Sequence, residues 1–193
     1  MKKLLFIIAL FCFVFSGKTY GQRCLPGMKG VQVTGGFTDG IYFASSDDDA
    51  GFYFGTAISK YTKRANKWVF GAEYLQKDIT HGAYTIPLAQ FTGEGGFNYR
   101  LMSDRNRVFL LYTGLSALGG YEAVNWGEKM LSDGSVIRNK EAFIYGGAIN
   151  LELETYLSDK VVLLISGRQR VLWGTTTGHF HTQFGLGVKY IIN

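Results

Sequence analysis

The chain has 193 residues, of which 20 are basic and 15 acidic, and its formal net charge is +5. A chain of this length suits one domain. Lys2, Lys3 and Lys18 lie in an N-terminal segment that we expect to be removed, and subtracting these three from the 20 basic residues, against 15 acidic ones, leaves a net charge of only +2. So small an excess argues against a strongly basic nucleic-acid-binding protein, and we expect no direct contact with nucleic acid.

Residues 1–21 have the pattern of a secretory signal peptide. Two lysines are followed by an apolar run over 4–15, and residues 19–21 place small side chains three positions and one position before the expected cut. The apolar run is shorter than the roughly 18 residues that are typical of a membrane-spanning helix. The sequence therefore predicts an exported protein whose mature chain begins with a short periplasmic segment over 22–29.

The mature chain keeps a single cysteine, Cys24, which excludes an internal disulfide. Arg23 precedes it, whereas lipoprotein cleavage requires a small residue there, so we do not expect a lipid anchor. Two interpretations of Cys24 remain: a locally buried thiol, or a thiol that bonds a partner chain in an oxidising compartment.

The C-terminal residues alternate strictly between an apolar and a polar or small face, and the same alternation occurs over 141–157. This is the period of a β-strand with one apolar face. A strand needs about nine to eleven residues to cross a membrane, and the final run is longer than that. Its apolar face is formed by Phe180, Thr182, Phe184, Leu186, Val188, Tyr190 and Ile192.

The pattern predicts one barrel domain over 30–193, built from eight strands. The breaks at 62–66, 101–106 and 158–160 are short, whereas those at 41–50 and 122–140 are long, with 78–83 and 174–177 of moderate length on the same side. Short turns on one side and long loops on the other are typical of outer-membrane barrels. The strands are expected over 30–40, 51–61, 67–77, 84–100, 107–121, 141–157, 161–173 and 178–192.

Alternation alone does not say which face meets water. A soluble sandwich turns its apolar face inward, whereas a membrane barrel turns it toward lipid. The export signal and the loop asymmetry favour the second arrangement. We therefore predict an all-β fold, an eight-stranded antiparallel up-and-down outer-membrane-type β-barrel with a filled lumen, in contact with outer-membrane lipid.

Charged residues recur on the face that the alternation assigns to the lumen. Eight strands enclose an interior just wide enough for side chains to fill, so these groups are expected to form a structural polar network. A tight turn at 158–160 would place Arg168 opposite Asn150 and diagonal to Glu152, within reach of a carboxylate contact. An acid/base pair in the lumen is the alternative. The predicted network comprises Glu73, Glu94, Arg100, Glu152, Glu154, Arg168 and Arg170.

Motifs for catalysis, metal or cofactors are not apparent. His179 and His181 share a strand face, but His81 lies in a predicted loop, and a second pair of metal ligands is missing. No G-x-S-x-G motif marks a nucleophile. We predict neither a metal site nor a cofactor. Basic residues cluster on the short-turn side, where solvated periplasmic charge is expected rather than a DNA site: Lys60, Lys63, Arg64, Lys67, Arg105 and Arg107.

The long connection over 122–140 is the predicted partner surface. A connection of this length without evident secondary structure is more often functional than idle. The alternative is a solvated loop that merely caps the barrel. The residues expected to contact a partner are Trp126, Met130, Leu131 and Arg138.

Six segments of the chain resemble the TraO family of conjugative-transposon transfer proteins. They are RCLPGMKG, NKWVFGAEYLQK, GLSALGGYE, NWGEK, IRNKEAFIYGGAI and RVLWGTTTGHFHTQFG. The resemblance covers nearly the whole mature chain and is weakest over 38–51 and 78–84. It implies a cell-envelope component encoded with a conjugation apparatus of the type IV secretion kind, whose other proteins would be partners. It supplies no catalytic motif.

Together these observations predict a non-enzymatic structural or accessory component of the outer membrane in DNA transfer. One rival is a small barrel enzyme acting on lipid, for which His81 and His179 are the candidate bases near the outer rim. The other is a soluble periplasmic ligand-binding barrel with its apolar faces turned inward. The sequence leaves the oligomeric state open.

Overall fold

The computed structural model describes residues 23–40, 51–81, 84–124, 141–175 and 178–192. The predicted signal peptide lies outside the described residues. So do the four predicted partner-loop residues Trp126, Met130, Leu131 and Arg138, which therefore remain a prediction.

Eight antiparallel strands form a closed barrel in which each strand pairs with its sequence neighbours and β1 pairs with β8. This confirms the predicted eight-stranded up-and-down fold. Among the described residues, no helix is long and apolar enough to cross a membrane. The strands are β1 (Lys29–Thr38), β2 (Gly51–Tyr61), β3 (Lys67–His81), β4 (Tyr84–Ser103), β5 (Phe109–Val124), β6 (Ala142–Tyr156), β7 (Val161–Trp173) and β8 (Phe180–Ile191).

The two ends of the barrel differ, and we name them by their connections. At the short-turn end, a 3₁₀ turn (Lys63–Ala65) joins β2 to β3, and Asp104 organises the next turn. Its Oδ1 accepts hydrogen bonds from the backbone N–H groups of Val108 and Phe109, at 2.7 and 3.0 Å. The opposite end, where β1, β5 and β7 finish, is called the loop end.

The β3–β4 hairpin corrects one predicted boundary. A moderate loop was expected over 78–83, but the ladder continues from the Asp78↔Pro87 pair to the His81↔Tyr84 pair. The two pairs between these are Ile79↔Ile86 and Thr80↔Thr85. All four residues are β-branched, and such residues favour strand conformation, so the ladder continues. His81 is thus the last residue of a strand and not a loop residue. Similarly, β5 extends to Val124, so the long connection is shorter than expected.

The outward face of the barrel is apolar. Phe180, Phe143 and Leu115 are 72%, 68% and 67% exposed. A single row of aromatic side chains crosses five strands near the loop end, because successive ladder pairs align Phe54, Tyr74, Phe91, Tyr121 and Phe143. The rings of Tyr74 and Phe91 lie 4.9 Å apart. Such a row matches the aromatic girdle of membrane barrels.

The lumen is packed with side chains, and inward-facing glycines make the room for them. A Cβ atom at Gly185 would collide with the hydroxyl of Tyr53, and one at Gly114 would collide with the side chain of Asn98. Glycine at these positions leaves room for the side chain of a nearby strand in the narrow interior. The result is a filled lumen, with an apolar cluster toward each end and polar side chains both between the two clusters and at the loop end. The loop-end apolar cluster is Leu118, Ile144, Ala148 and Leu172.

Candidate functional site

Four charges, which we call the inner ion cluster, lie in the lumen near the short-turn end: Lys67 of β3, Glu152 and Glu154 of β6, and Lys189 of β8. Lys67 Nζ donates to Glu154 Oε1 at 2.5 Å and also pairs with Glu152. Lys189 Nζ pairs with Glu154 and lies 3.9 Å from Glu152. Lys67, Glu154 and Lys189 are completely buried. Two cations therefore balance two carboxylates away from water, as buried charge requires.

Tyrosines enclose the inner ion cluster. The hydroxyl of Tyr61 donates to Glu154 Oε2 at 2.8 Å. The ammonium of Lys67 lies 4.4 Å from the ring centroid of Tyr112, and that of Lys189 lies 5.4 Å from the ring of Tyr61. Ring faces attract cations most strongly where water is excluded. The cluster is thus held by hydrogen bonds and rings as well as by opposite charge.

The predicted location of Lys67 was wrong. It was grouped with the solvated basic residues of the short turns, but it is buried in the lumen. Its strand parity explains the difference, because Lys67 and Lys77 share the parity of Glu73 on β3 and so point to the same face. That parity was the available signal for both lysines.

A second set of charges, the middle ion cluster, crosses the centre of the lumen. Arg168 Nη1 donates to Glu73 Oε2 at 3.1 Å, and Arg168 also pairs with Glu94. Arg170 Nη1 donates to the other oxygen of Glu73 at 2.8 Å. Gln183 Nε2 donates to that same oxygen at 2.9 Å. Two arginines thus balance two carboxylates.

The partner of Arg168 differs from the expected one. The register pairs Asn150 with Arg168, and Arg168 Nε donates to Asn150 Oδ1 at 2.8 Å, as the turn length predicted. The carboxylates that Arg168 reaches are those of Glu73 and Glu94, however, whereas Glu152 is held by Lys67. In a narrow closed barrel, side chains from opposite walls meet in the lumen, and strand adjacency alone does not identify the partner.

Arg100 is the predicted network residue that the structure leaves apart. It is half-buried at the end of the inward face of β4, next to a β-bulge between Arg100 and Met102. Its backbone N–H donates to Asn66 Oδ1 at 3.0 Å. Within the described ranges, its side chain makes no ion pair with either cluster.

The loop end of the lumen carries a further polar group around Asp39. Its Oδ2 lies 3.1 Å from Lys77 Nζ and 2.6 Å from His181 Nδ1, and its Oδ1 accepts the backbone N–H of Thr182 at 2.9 Å. Burial would raise the pKa of Asp39, but the hydrogen bond and charge attraction of His181, together with Lys77, hold it below its usual value. This carboxylate therefore ties β1, β3 and β8 together.

The two histidines of β8 and its approach have different surroundings. His181 is buried against Asp39, whereas the exposed His179 contacts the carbonyl oxygen of Leu172 through Nδ1 at 2.9 Å. Nowhere in the described part of the chain do three or more His, Cys, Asp or Glu side chains group in a way that suits a metal ion. The sequence-predicted pair thus has separate structural contacts.

Residues 23–28, which we call the N-terminal plug, close the short-turn end. The Gly27 N–H donates to the Tyr61 carbonyl, and the Tyr61 N–H donates to the Met28 carbonyl, both at 2.8 Å. Arg107 Nη1 donates to the Arg23 carbonyl at 3.0 Å. No structure was predicted for this segment, because its sequence has no periodic pattern. The plug packs Cys24 into the apolar cluster at the short-turn end, which comprises Tyr61, Ala65, Leu110, Tyr112, Tyr156, Val162, Leu164 and Ile191.

Cys24 is a buried thiol in this arrangement. It is 2% exposed, and its Sγ lies 3.3 Å from the hydroxyl of Tyr156. The backbone at Cys24 has a φ of 56°, which lies in the left-handed region, where residues other than glycine are strained. Burial raises the pKa of the thiol. For Cys24 to bond a partner chain, the plug would therefore have to leave its site.

Cys24 is expected to react with Ellman's reagent more slowly in the folded barrel than in denaturant. A raised pKa moves thiolate formation to higher pH, so the rate should stay low through neutral pH and rise only above the ordinary cysteine range. A matched control is Leu25→Cys in a Cys24→Ser background, because Leu25 is 40% exposed. Equal rates at the two positions would mean that the plug is not seated in solution.

The arrangement defines a class of protein: an outer-membrane-type eight-stranded barrel whose lumen is filled by paired charges and closed by its own N-terminal segment. The chain belongs to the TraO family, conjugative transposon protein TraO, whose family model matches residues 25–192. A comparison with curated proteins found no match.

Solved structures of other proteins share the fold. Neisserial surface protein A is similar with a TM-score of 0.57 at 12% sequence identity, over 85% of this chain and 96% of that one. The attachment invasion locus protein Ail of Yersinia pestis, solved with the heparin analogue sucrose octasulfate, has a TM-score of 0.53 at 12% identity, over 87% of this chain and all of that one. At this identity the likeness concerns the fold alone.

Proposed function

We propose that this protein is a non-enzymatic structural or accessory component of the outer membrane in conjugative DNA transfer, acting in the donor cell with other proteins of a type IV secretion-like apparatus. The observation that carries the proposal is the extent of the family match. Residues 25–192 include the whole barrel and most of the plug, so the match is not confined to one local motif.

The filled lumen supports a structural role over a conduit. The plug and apolar cluster occupy the short-turn end, the inner ion cluster lies next to them, and the middle ion cluster fills the centre. The central cavity, lined by residues that include Tyr53, Glu73 and Arg168, has a volume of only about 60 Å³. This is room for a few water molecules and not for a nucleic acid or protein strand. The protein would therefore act through its surfaces.

The apolar outward face supports placement in the outer membrane. Closed barrels resist detergent at room temperature because every strand is paired. The protein is expected to sediment with the outer-membrane fraction and to migrate differently on a detergent gel before and after boiling. Recovery as a soluble periplasmic protein, with no heat-dependent change in mobility, would contradict this placement and favour the ligand-binding alternative.

The role in transfer is tested by deleting the gene from the donor. We expect fewer transconjugants, restoration by a plasmid copy, and unchanged envelope lipid composition. A change in lipid composition with normal transfer would instead support the rival lipid-acting enzyme. Unchanged transfer and unchanged lipid would contradict both functions. As a control, the deletion is placed in the recipient alone, where it should leave transfer unchanged because the protein is proposed to act in the donor.

A further inference from the structure

Two lysines face each other across the first two strands on the outward surface. Lys29 and Lys60 form the pair at the short-turn end of the β1–β2 ladder. Both side chains are exposed, and alternation from the exposed Val31 and Ile58 places them on the apolar outer face. Like charges directly opposite each other on a sheet are destabilising. An anion between the two ammonium groups would relieve this repulsion.

The described residues do not supply that anion. Among the described carboxylates of the short turns, Asp104 accepts backbone hydrogen bonds in its own turn, and Asp159 lies 3.8 Å from Arg23. Neither Lys29 nor Lys60 has an ion-pair partner in the part of the chain that the structure describes. Within the described ranges, the positive charge of this pair is thus without a counter-charge, and an external anion would supply one.

The surroundings indicate the nature of that group. On its other side, Lys60 is paired in the ladder with Trp68, whose exposed ring lies 5.0 Å from that of Phe97. The next outward pair along the ladder toward the loop end is Val31 and Ile58. The ammonium groups thus lie where the aliphatic surface meets the turns, beside a tryptophan of the kind that favours membrane interfaces.

We propose that Lys29 and Lys60 bind the phosphate of an anionic phospholipid in the membrane leaflet nearest the short turns, with Trp68 beside its acyl chains. The inference rests on the proposed membrane placement. A lipid is favoured over an acidic protein because the pair lies on the side wall of the barrel, in line with lipid-facing residues. A lipid with net negative charge is favoured over a zwitterionic one, whose own cation would meet the lysines.

The test uses Trp68 as a reporter. The other two tryptophans, Trp126 and Trp173, are replaced by Phe, and the full barrel is placed in phosphatidylcholine vesicles. Brominated phosphatidylglycerol or brominated phosphatidylcholine is then added at equal mole fraction as a quencher of Trp68 fluorescence. Because one lysine near a membrane surface contributes about 1 kcal/mol, phosphatidylglycerol should be preferred about fivefold or more. Lys29→Gln with Lys60→Gln should abolish the preference, and Lys60→Gln alone should reduce it.

A matched control removes the same charge from the adjacent turn. Lys63 and Arg64 are exposed in the 3₁₀ turn, beyond the strand ends, and their replacement by Gln should leave the preference intact. An equal loss in this control would mean that overall charge, and not the Lys29–Lys60 pair, attracts the lipid. Heat-dependent gel mobility, measured for every variant, identifies any that fails to fold.

The remaining outcomes separate the two proposals. Equal quenching by both brominated lipids in the parent protein would overturn the lipid site while leaving the membrane placement standing. No quenching by either lipid would overturn the placement itself. If inorganic phosphate removes the preference where chloride of equal ionic strength does not, the pair binds free phosphate and the lipid proposal fails. A preference that survives both salts supports it.

Discussion

Replacing Glu154 by Gln is expected to destabilise the barrel by about 3 to 5 kcal/mol, the range found when one partner of a buried ion pair is removed. Glu154 is fully buried and is shared by Lys67, Lys189 and the hydroxyl of Tyr61. Without its charge, two buried ammonium groups share the single carboxylate of Glu152. The measurement is urea unfolding of the barrel in detergent micelles, followed by tryptophan fluorescence.

The double variant Glu154→Gln with Lys189→Met should be less destabilised than the single one. It leaves Lys67 and Glu152 as a neutral pair, so the change in one residue compensates for the change in the other. Glu141→Gln, an exposed carboxylate next to the start of β6, is the control and should change stability little. If the double variant costs the sum of its two single changes, the residues do not act as one charge-balanced cluster.

The fold was predictable because strand parity is a strong signal in a barrel. Once the apolar face of each strand is identified, the opposite positions must line the lumen, and Glu73, Glu152 and Arg170 lie there in the structure. The same rule was available for Lys67. Its position beside a basic turn suggested solvated charge instead.

The pairing inside the lumen was less predictable than its composition. Register along β6 and β7 follows from one turn length, and it correctly placed Arg168 opposite Asn150. Contacts across the lumen, such as Arg168 with Glu73, depend on how far the strands stagger when the sheet closes. A sequence pattern with a period of two contains no information on that stagger.

The plug was beyond prediction for a different reason. Its six residues have no alternation, and its fit depends on the Cys24 and Gly27 backbones, which both have positive φ. Gly27 tolerates this conformation, whereas Cys24 adopts it while its side chain is buried in the apolar cluster. The strain at Cys24 is offset by contacts from distant strands, and local sequence does not reveal such contacts.

Shortening the long loop-end connection is expected to abolish transfer while leaving the barrel intact. β5 ends at Val124, and Glu122 pairs with Ala142 of β6, so replacing residues 125–140 by a short Gly/Ser turn preserves the ladder. The shortened protein should remain in the outer-membrane fraction and keep its heat-dependent mobility. Transfer should fall to the level of the deletion strain, because a connection of this length without evident secondary structure in its sequence is more often functional than idle.

Two further variants separate the side chains of the connection from its length. One keeps the length and composition of 125–140 but scrambles the order, and the other replaces only Trp126, Met130, Leu131 and Arg138 by Ser. If these residues contact a partner, both variants should fail to restore transfer. Full restoration by the shortened protein would mean that the connection only caps the barrel. The partner surface would then be sought among the exposed basic residues of the short turns, Lys63, Arg64, Arg105 and Arg107.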